Sequence, residues 1–303
     1  MRSFAMLLKS YEKDLASARR LVDSFNGNNP ENLHLFIVVA EKDMDLFVEL
    51  ANDNITVMTE TPFCHYFTDT HVAGIRPGYI NQEIVKLAFW ELDLAENYFC
   101  VDSDAVFIRP FTAKDFMLND FTPYTVLVED NELKVEPTYY AQHWQGREVH
   151  LRHIQELVGL QDRRILTCHG HQVFSARVLK SLKGDFLTPR GWTYLDMLAE
   201  GPYEFSWYNF WLQKSLPIEI AIREPLVKVF HNQDQHLEYA MRGIGQADIA
   251  RGYVAVVINS NFADSWGQLS ASEPATQTIA RYVSWKTLLQ VLKAKTAAVF
   301  TRR

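Results

Sequence analysis

The stretch VDSDAVFI sets two carboxylates, Asp102 and Asp104, two residues apart between apolar flanks. Along a strand such residues point to one side, and in a tight turn they converge on one point. Oxygen donors in that arrangement suit a hard divalent cation, Mn²⁺ or Mg²⁺. A cation held there would bridge a diphosphate and offset charge growing on a leaving group. Two acids between hydrophobic runs are costly to bury alone, and a metal accounts for them. The plain alternative is a solvated turn at a strand end, where Asp and Ser are common.

The elements that must carry this turn follow from hydrophobic periodicity. Ser3 to Leu8 reads as a strand and Glu12 to Phe25 as a helix, with Leu15, Ala18, Leu21, Val22 and Phe25 at helical spacing. LHLFIVVA is a buried strand, EKDMDLFVEL a short helix and NITVMTE a third strand. GYINQEIVKLAFWELDL is a helix with Ile80, Ile84, Leu87 and Ala88 on one stripe, and YFCV is a fourth strand running straight into the DSD turn. This βαβα rhythm predicts an α/β fold with a mostly parallel central sheet and flanking helices. Ligands of such folds bind beyond the carboxyl ends of the strands, where Asp102 to Asp104 falls. The stretch from 112 to 166 is less regular. Later segments include HGHQVFSARVLKSLKG, the aromatic helix YEFSWYNFWLQKS, the strand LVKVFHNQDQH and the strand GYVAVVINSNF.

Composition removes several classes. The net charge of -7, without a Lys/Arg block before residue 270, excludes a polyanion-binding surface and hence nucleic acid. Cys64, Cys100 and Cys168 form neither a CxxC pair nor a disulfide framework, which fits a reducing, cytoplasmic setting. The segment MRSFAMLLKSYEKD turns polar too early for a signal peptide, and no apolar run reaches membrane-spanning length. Neither a GxGxxG nor a GxxxxGK[ST] motif is present, so a bound nucleotide needs another device.

The run RPGYINQEIVKLAFWELDLAENYFCVDSDAVFIRPF, residues 76 to 111, resembles the core of a bacterial glycosyltransferase-like family with the GT-A fold, the DUF6492 type associated with capsule and surface-polysaccharide genes. The resemblance extends over about Phe4 to Phe262: a first strand followed by KSYEKD, a helix with Gln82 and Lys86 at family spacing, the DSD turn and a later acidic, aromatic helix. It implies a GT-A-like single continuous domain that uses a nucleoside-diphosphate sugar, UDP-linked by preference, and a carbohydrate acceptor that includes lipid-linked saccharides. It implies that Asp102 and Asp104 hold the metal, that Asp102 and Ser103 touch the ribose, and that Ser10 and Tyr11 hold the base. Gln82 and Lys86, four apart on one helical face, would point into the donor cleft, with Lys86 on phosphate. A late histidine completes the metal shell in many GT-A enzymes, and His231 fits that place, with His236 behind it. One departure is GYINQE, which puts Glu83 where the family pattern has a second Gln.

PYEFSWYNFWLQ is similar to the family's acidic segment, with Glu204 on its first acid, Tyr208 on its tyrosine and Ser206 in place of its second acid. Glu204 would serve an inverting enzyme as general base, or orient the acceptor in a retaining one. Trp207 and Trp211 would either stack on a sugar or fill the core. His169 and His171 are spaced too tightly with Cys168 for a zinc site and would face the acceptor, while His65 reads as structural.

The expected organisation is a GT-A domain over 1–275, with a nucleotide-sugar half at 1–111 and an acceptor half at 112–275. A basic amphipathic helix at 276–303 would follow. From Arg281 this tail carries six basic and no acidic residues, so it would dock on the domain or make peripheral membrane contact. Two other functions compete: a metal-dependent nucleotidyltransferase or diphosphate hydrolase, and a non-catalytic carbohydrate-binding protein.

Overall fold

The computed structural model describes residues 1–128, 137–162, 164–168, 170–230, 235–236, 239 and 241–258, with backbone alone for 137–145 and 258. Residues Met1–Lys228 and Tyr253–Val257 form one compact unit, and Val229–Gly252 with Ile258–Arg303 form a second.

The first unit is built on a five-stranded sheet. Its strands are β1 (Arg2–Lys9), β2 (Leu35–Val39), β3 (Ile55–Thr59), β4 (Ala95–Val101) and β7 (Val173–Ser175), in the order β3-β2-β1-β4-β7. The first three pairings are parallel, β4 with β7 is antiparallel, and the sheet is therefore mixed. Every residue of β2 is buried, as its continuous Leu-Phe-Ile-Val-Val run requires of a strand covered on both faces. The register Leu8↔Val101 and Lys9↔Val38 brings the carboxyl ends of β1, β2 and β4 to one edge.

Helices flank the sheet. Among the described residues the first unit holds, in chain order, α1 (Leu15–Asn28), α2 (Met44–Phe47), α3 (Pro77–Ala88), α4 (Ala113–Phe116), α5 (Pro137–Val158), α6 (Ala176–Ser181), α7 (Tyr194–Glu200) and α8 (Glu204–Ser215), and the second unit holds α9 (Gln246–Ile249). The expected first helix starts as a single 3-10 turn at Glu12–Asp14 before α1, and the segment after β2 is broken into short 3-10 and α turns. The irregular stretch expected after residue 112 holds the 22-residue helix α5. Helix α3 starts at Pro77, whose missing N–H costs nothing in a first turn, after Arg76 in an extended conformation. Helix α8 is buried along Glu204 to Leu212, which matches its lack of a polar face.

Smaller sheets follow along the chain. The turn after β4 leads into β5 (Ala105–Phe107), which pairs antiparallel with β10 (Ala255–Ile258) in a sheet ordered β5-β10-β9, with β9 at Val227–Phe230. Strands β6 (Tyr124–Thr125) and β8 (Ala221–Ile222) form a short parallel pair. In the second unit, Phe230 meets the rings of His236 and Tyr239 edge-on. Among the described residues no helix is long and apolar enough to cross a membrane. The expected C-terminal helix and His231 lie outside the described residues.

Candidate donor and transfer site

The site starts where β4 ends. Side chains alternate along β4, so Tyr98 and Cys100 enter the core facing α3 and α8, and Asp102 continues on that side. Helix α3 presents Gln82 and Lys86 to it, one turn apart. Gln82 Nε2 donates to Asp102 Oδ1 at 3.3 Å, and Lys86 Nζ lies 3.2 Å from the same oxygen. Lys86 also reaches Glu204 Oε1 at 3.1 Å, at the first residue of α8, and its ammonium sits 5.0 Å from the centre of the Phe205 ring. Four residues singled out in the sequence, Gln82, Lys86, Asp102 and Glu204, are thus joined through one buried lysine.

The electrostatics follow from that lysine. Burial works against the Lys86 charge, but Asp102 and Glu204 outweigh it and hold its ammonium well above the usual lysine range. Burial pushes the Asp102 carboxyl up, yet Lys86 and then His171 pull harder and leave it below its ordinary value. His171 is 3.5 Å from Asp102 Oδ2 through Nε2, and burial lowers its imidazole despite the neighbouring carboxylate. The sequence reading faced His171 toward an acceptor; in the structure it lies against the Asp102 to Asp104 turn. It gets there with a left-handed φ of 57°, uncommon for a residue with a side chain, and its Nδ1 has no partner among the described residues. His169 lies outside the described residues.

Ser103 turns the other way and donates to Asp14 Oδ2 at 3.0 Å, which ties the turn to the segment entering α1. Burial raises the Asp14 carboxyl, and the Ser103 hydroxyl offsets part of this. Asp104 is half-buried in the same turn. Beyond the carboxyl ends of β1 to β3 opens a cavity of about 210 Å³ lined by Ser10, Tyr11, Asp43, Glu60, Arg76 and Gln82, among others. Ser10 is 1% exposed, and its hydroxyl has no partner among the described residues. Lys9, also on the cavity wall, is held by Glu60 at 2.9 Å, and Asp43 accepts the Glu12 N–H at 3.1 Å.

The aromatic helix resolves differently from its sugar-stacking reading. Trp207 is fully buried, and its indole N–H donates to the Gly201 carbonyl at 2.8 Å; Trp211 donates to Ser181 Oγ at 3.2 Å. The Tyr208 hydroxyl accepts the Ser175 N–H at 3.1 Å, against β7, and the ring is fully buried. These rings are core. From α8, Glu204 and the Phe205 ring face the lysine.

Among the described residues no three His, Cys, Asp or Glu side chains converge as a metal-binding group. The donor chemistry nonetheless fits a hard divalent cation. Asp102 is partly exposed with its carboxyl held toward the charged form, and Asp104 stands two residues on. Asp14 and His171 contact the turn, Glu83 lies beside Lys86 and Glu204, and Arg76 and Asp43 line the cavity, none of them singled out as a ligand in the sequence. Only GYINQE and CHGHQVF offered a signal, and neither specified contacts.

Residues 6–241 match the model of DUF6492, described as a family of unknown function. No curated protein matches the chain significantly. Among solved structures, an active-site mutant of LgtC aligns with a TM-score of 0.51 at 10% identity, over 93% of this chain and 99% of that one. The bifunctional glycosyltransferase WbbM aligns at 0.47 and 13% identity over 93% of this chain and 52% of that one, so this chain spans about half the length of WbbM. The galactosyltransferase LgtC with donor and acceptor sugar analogues aligns at 0.44 and 10% identity, over 92% and 96%. The LgtC likeness shows the fold, an α/β arrangement of the GT-A type with a mixed central sheet.

Proposed function

We propose that this chain, which belongs to the DUF6492 family, is a glycosyltransferase that moves a sugar from a nucleoside-diphosphate sugar to a saccharide or lipid-linked saccharide. The observation that carries the reading is Lys86, which binds the carboxylate at the end of β4 and the carboxylate that opens α8 within one buried group. In a GT-A-like sheet this turn adjoins the cavity at the strand ends, so the donor turn and the proposed acceptor-side acid are fixed relative to each other.

In this account Ser10 and Tyr11 hold the base, with Ser10 in the cavity wall, its buried hydroxyl unpartnered among the described residues, and the partly exposed Tyr11 ring available to cover the base. Asp102 and Ser103 meet the ribose. UDP is the favoured nucleotide. Asp102, Asp104 and His231 would hold Mn²⁺ or Mg²⁺, which would neutralise diphosphate charge when bound. Gln82 keeps Asp102 oriented. Lys86 offers its charge beside the diphosphate but is already engaged, so its role includes holding Asp102 and Glu204 in register. Glu204 takes the acceptor proton in an inverting reaction, or orients the acceptor in a retaining one. Residues 1–111 serve the donor and 112–275 the acceptor. The body would act in the cytoplasm, and the basic segment 276–303 would either pack on the domain or touch the inner face of the membrane.

Product identity tests the reading. Incubation with nucleotide-sugars, Mn²⁺ and an oligosaccharide panel is expected to release a nucleoside diphosphate together with a glycosylated acceptor. Release of pyrophosphate, or of sugar phosphate and nucleoside monophosphate, would replace it with nucleotidyl transfer or diphosphate hydrolysis.

A further inference from the structure

Glu83 has no part in the chemistry above, yet it is 1% exposed. It follows Gln82 and precedes Lys86 by three residues, so it lies beside the lysine on α3. Both of its carboxyl oxygens are shut off from solvent, and neither has a hydrogen-bond partner among the described residues. Lys86, the cation its position invites, is committed at 3.2 Å to Asp102 and at 3.1 Å to Glu204. Three carboxyl groups therefore share one ammonium, and Glu83 is the one outside its hydrogen bonds.

An ionised carboxylate in that position would be buried with only the Tyr79 hydroxyl, one turn earlier on α3, near enough to help it, which is unfavourable. The groups acting on it are Tyr79 and Lys86 from its own helix and Glu204 from α8. Burial pushes Glu83 well above the usual carboxylate range and Glu204 pushes it further, while Lys86 pulls it back without prevailing. Two neighbouring carboxyl groups with one cation between them are most stable with one proton bound.

We propose that Glu83 is a positioning residue of the transfer site, held as an uncharged acid whose proton points toward Glu204. No covalent bond changes; the proton stays on the pair. The acid restrains Glu204 as a second contact from α3 beside Lys86, so that Glu204 keeps a single orientation toward the acceptor. This consequence for catalysis rests on the transferase reading, whereas the charge state of Glu83 does not.

The full chain, labelled with ¹³C at glutamate Cδ, separates the two. The resonance lost in Glu83→Gln identifies Glu83. It is expected at the position of a protonated acid at neutral pH, when exposed glutamates are ionised. A resonance at the ionised position under those conditions overturns the proposal, whatever the protein transfers.

The second arm measures UDP affinity with Mn²⁺ and UDP release from UDP-sugars. Gln keeps an uncharged donor, so Glu83→Gln should stay within about twofold of wild type in turnover. Glu83→Ala removes the donor and should lose about tenfold in kcat with UDP affinity unchanged, the scale of one buried hydrogen bond. Equal losses in the two variants overturn the positioning role. If the wild-type protein binds no UDP, the transferase reading falls and the resonance alone decides the state of Glu83.

Discussion

Replacing Lys86 by Met keeps an unbranched chain of similar volume and removes only the charge. The ammonium it deletes is 6% exposed at the side chain, as is Glu204. Breaking a buried ion pair from one side leaves the other charge uncompensated and costs about 3–5 kcal/mol. The Asp102 arm is weaker, because that side chain is 37% exposed and solvent screens it; under about 1 kcal/mol is expected from it. Urea unfolding of Lys86→Met should therefore show a loss of about 3–5 kcal/mol at unchanged m-value. The double variant Lys86→Met/Glu204→Gln should recover a large part of that loss, since no stranded carboxylate remains on α8. A loss below about 1 kcal/mol, the range of exposed pairs, or strict additivity of the two substitutions would refute the claim that this lysine holds the site together.

Other perturbations read separate parts of the structure. Glu83 binds its proton more tightly folded than unfolded, so between the unfolded glutamate value, about 4.3, and its raised folded value the native state carries the extra proton and stability falls as pH rises. Urea midpoints across that window should decline in wild type and flatten in Glu83→Gln; parallel profiles would contradict this. Trp207→Ala should cost about 3–5 kcal/mol, because the ring is a fully buried part of the core. A variant of wild-type stability with impaired acceptor binding would instead favour sugar stacking. Ser10→Ala should leave stability unchanged and weaken nucleotide binding by about 0.5–1.5 kcal/mol in calorimetry, the value of one hydrogen bond; unaltered affinity would remove Ser10 from the base site.

The parts of the site legible in the sequence are those set by local pattern. YFCV is a continuous apolar run, so it had to be a covered strand, and the DSD turn had to lie at its carboxyl end. Gln82 and Lys86 are four apart on a helix whose apolar stripe fixes its orientation, and both do reach Asp102. What escaped depends on pairing between distant segments. β7 runs antiparallel to β4, so its amino end, with His171, arrives beside Asp102. No periodicity announces that register. The Ser103–Asp14 contact joins residues 89 apart. Glu83 stood out in the sequence only as an acid in place of a family Gln, and the burial of its position is what makes its charge state an issue. Helix α5 was missed because its polar and aromatic residues mix around the axis, without a clean apolar stripe.

The most direct test of the central claim is calorimetric titration of UDP, GDP and CDP into wild type and Asp104→Ala, each with Mn²⁺ or with EDTA. Wild type should bind one nucleoside diphosphate in a metal-dependent way, and Asp104→Ala should lose that binding. Absence of binding by all three nucleotides under both conditions would contradict it and remove the donor site at the end of β4.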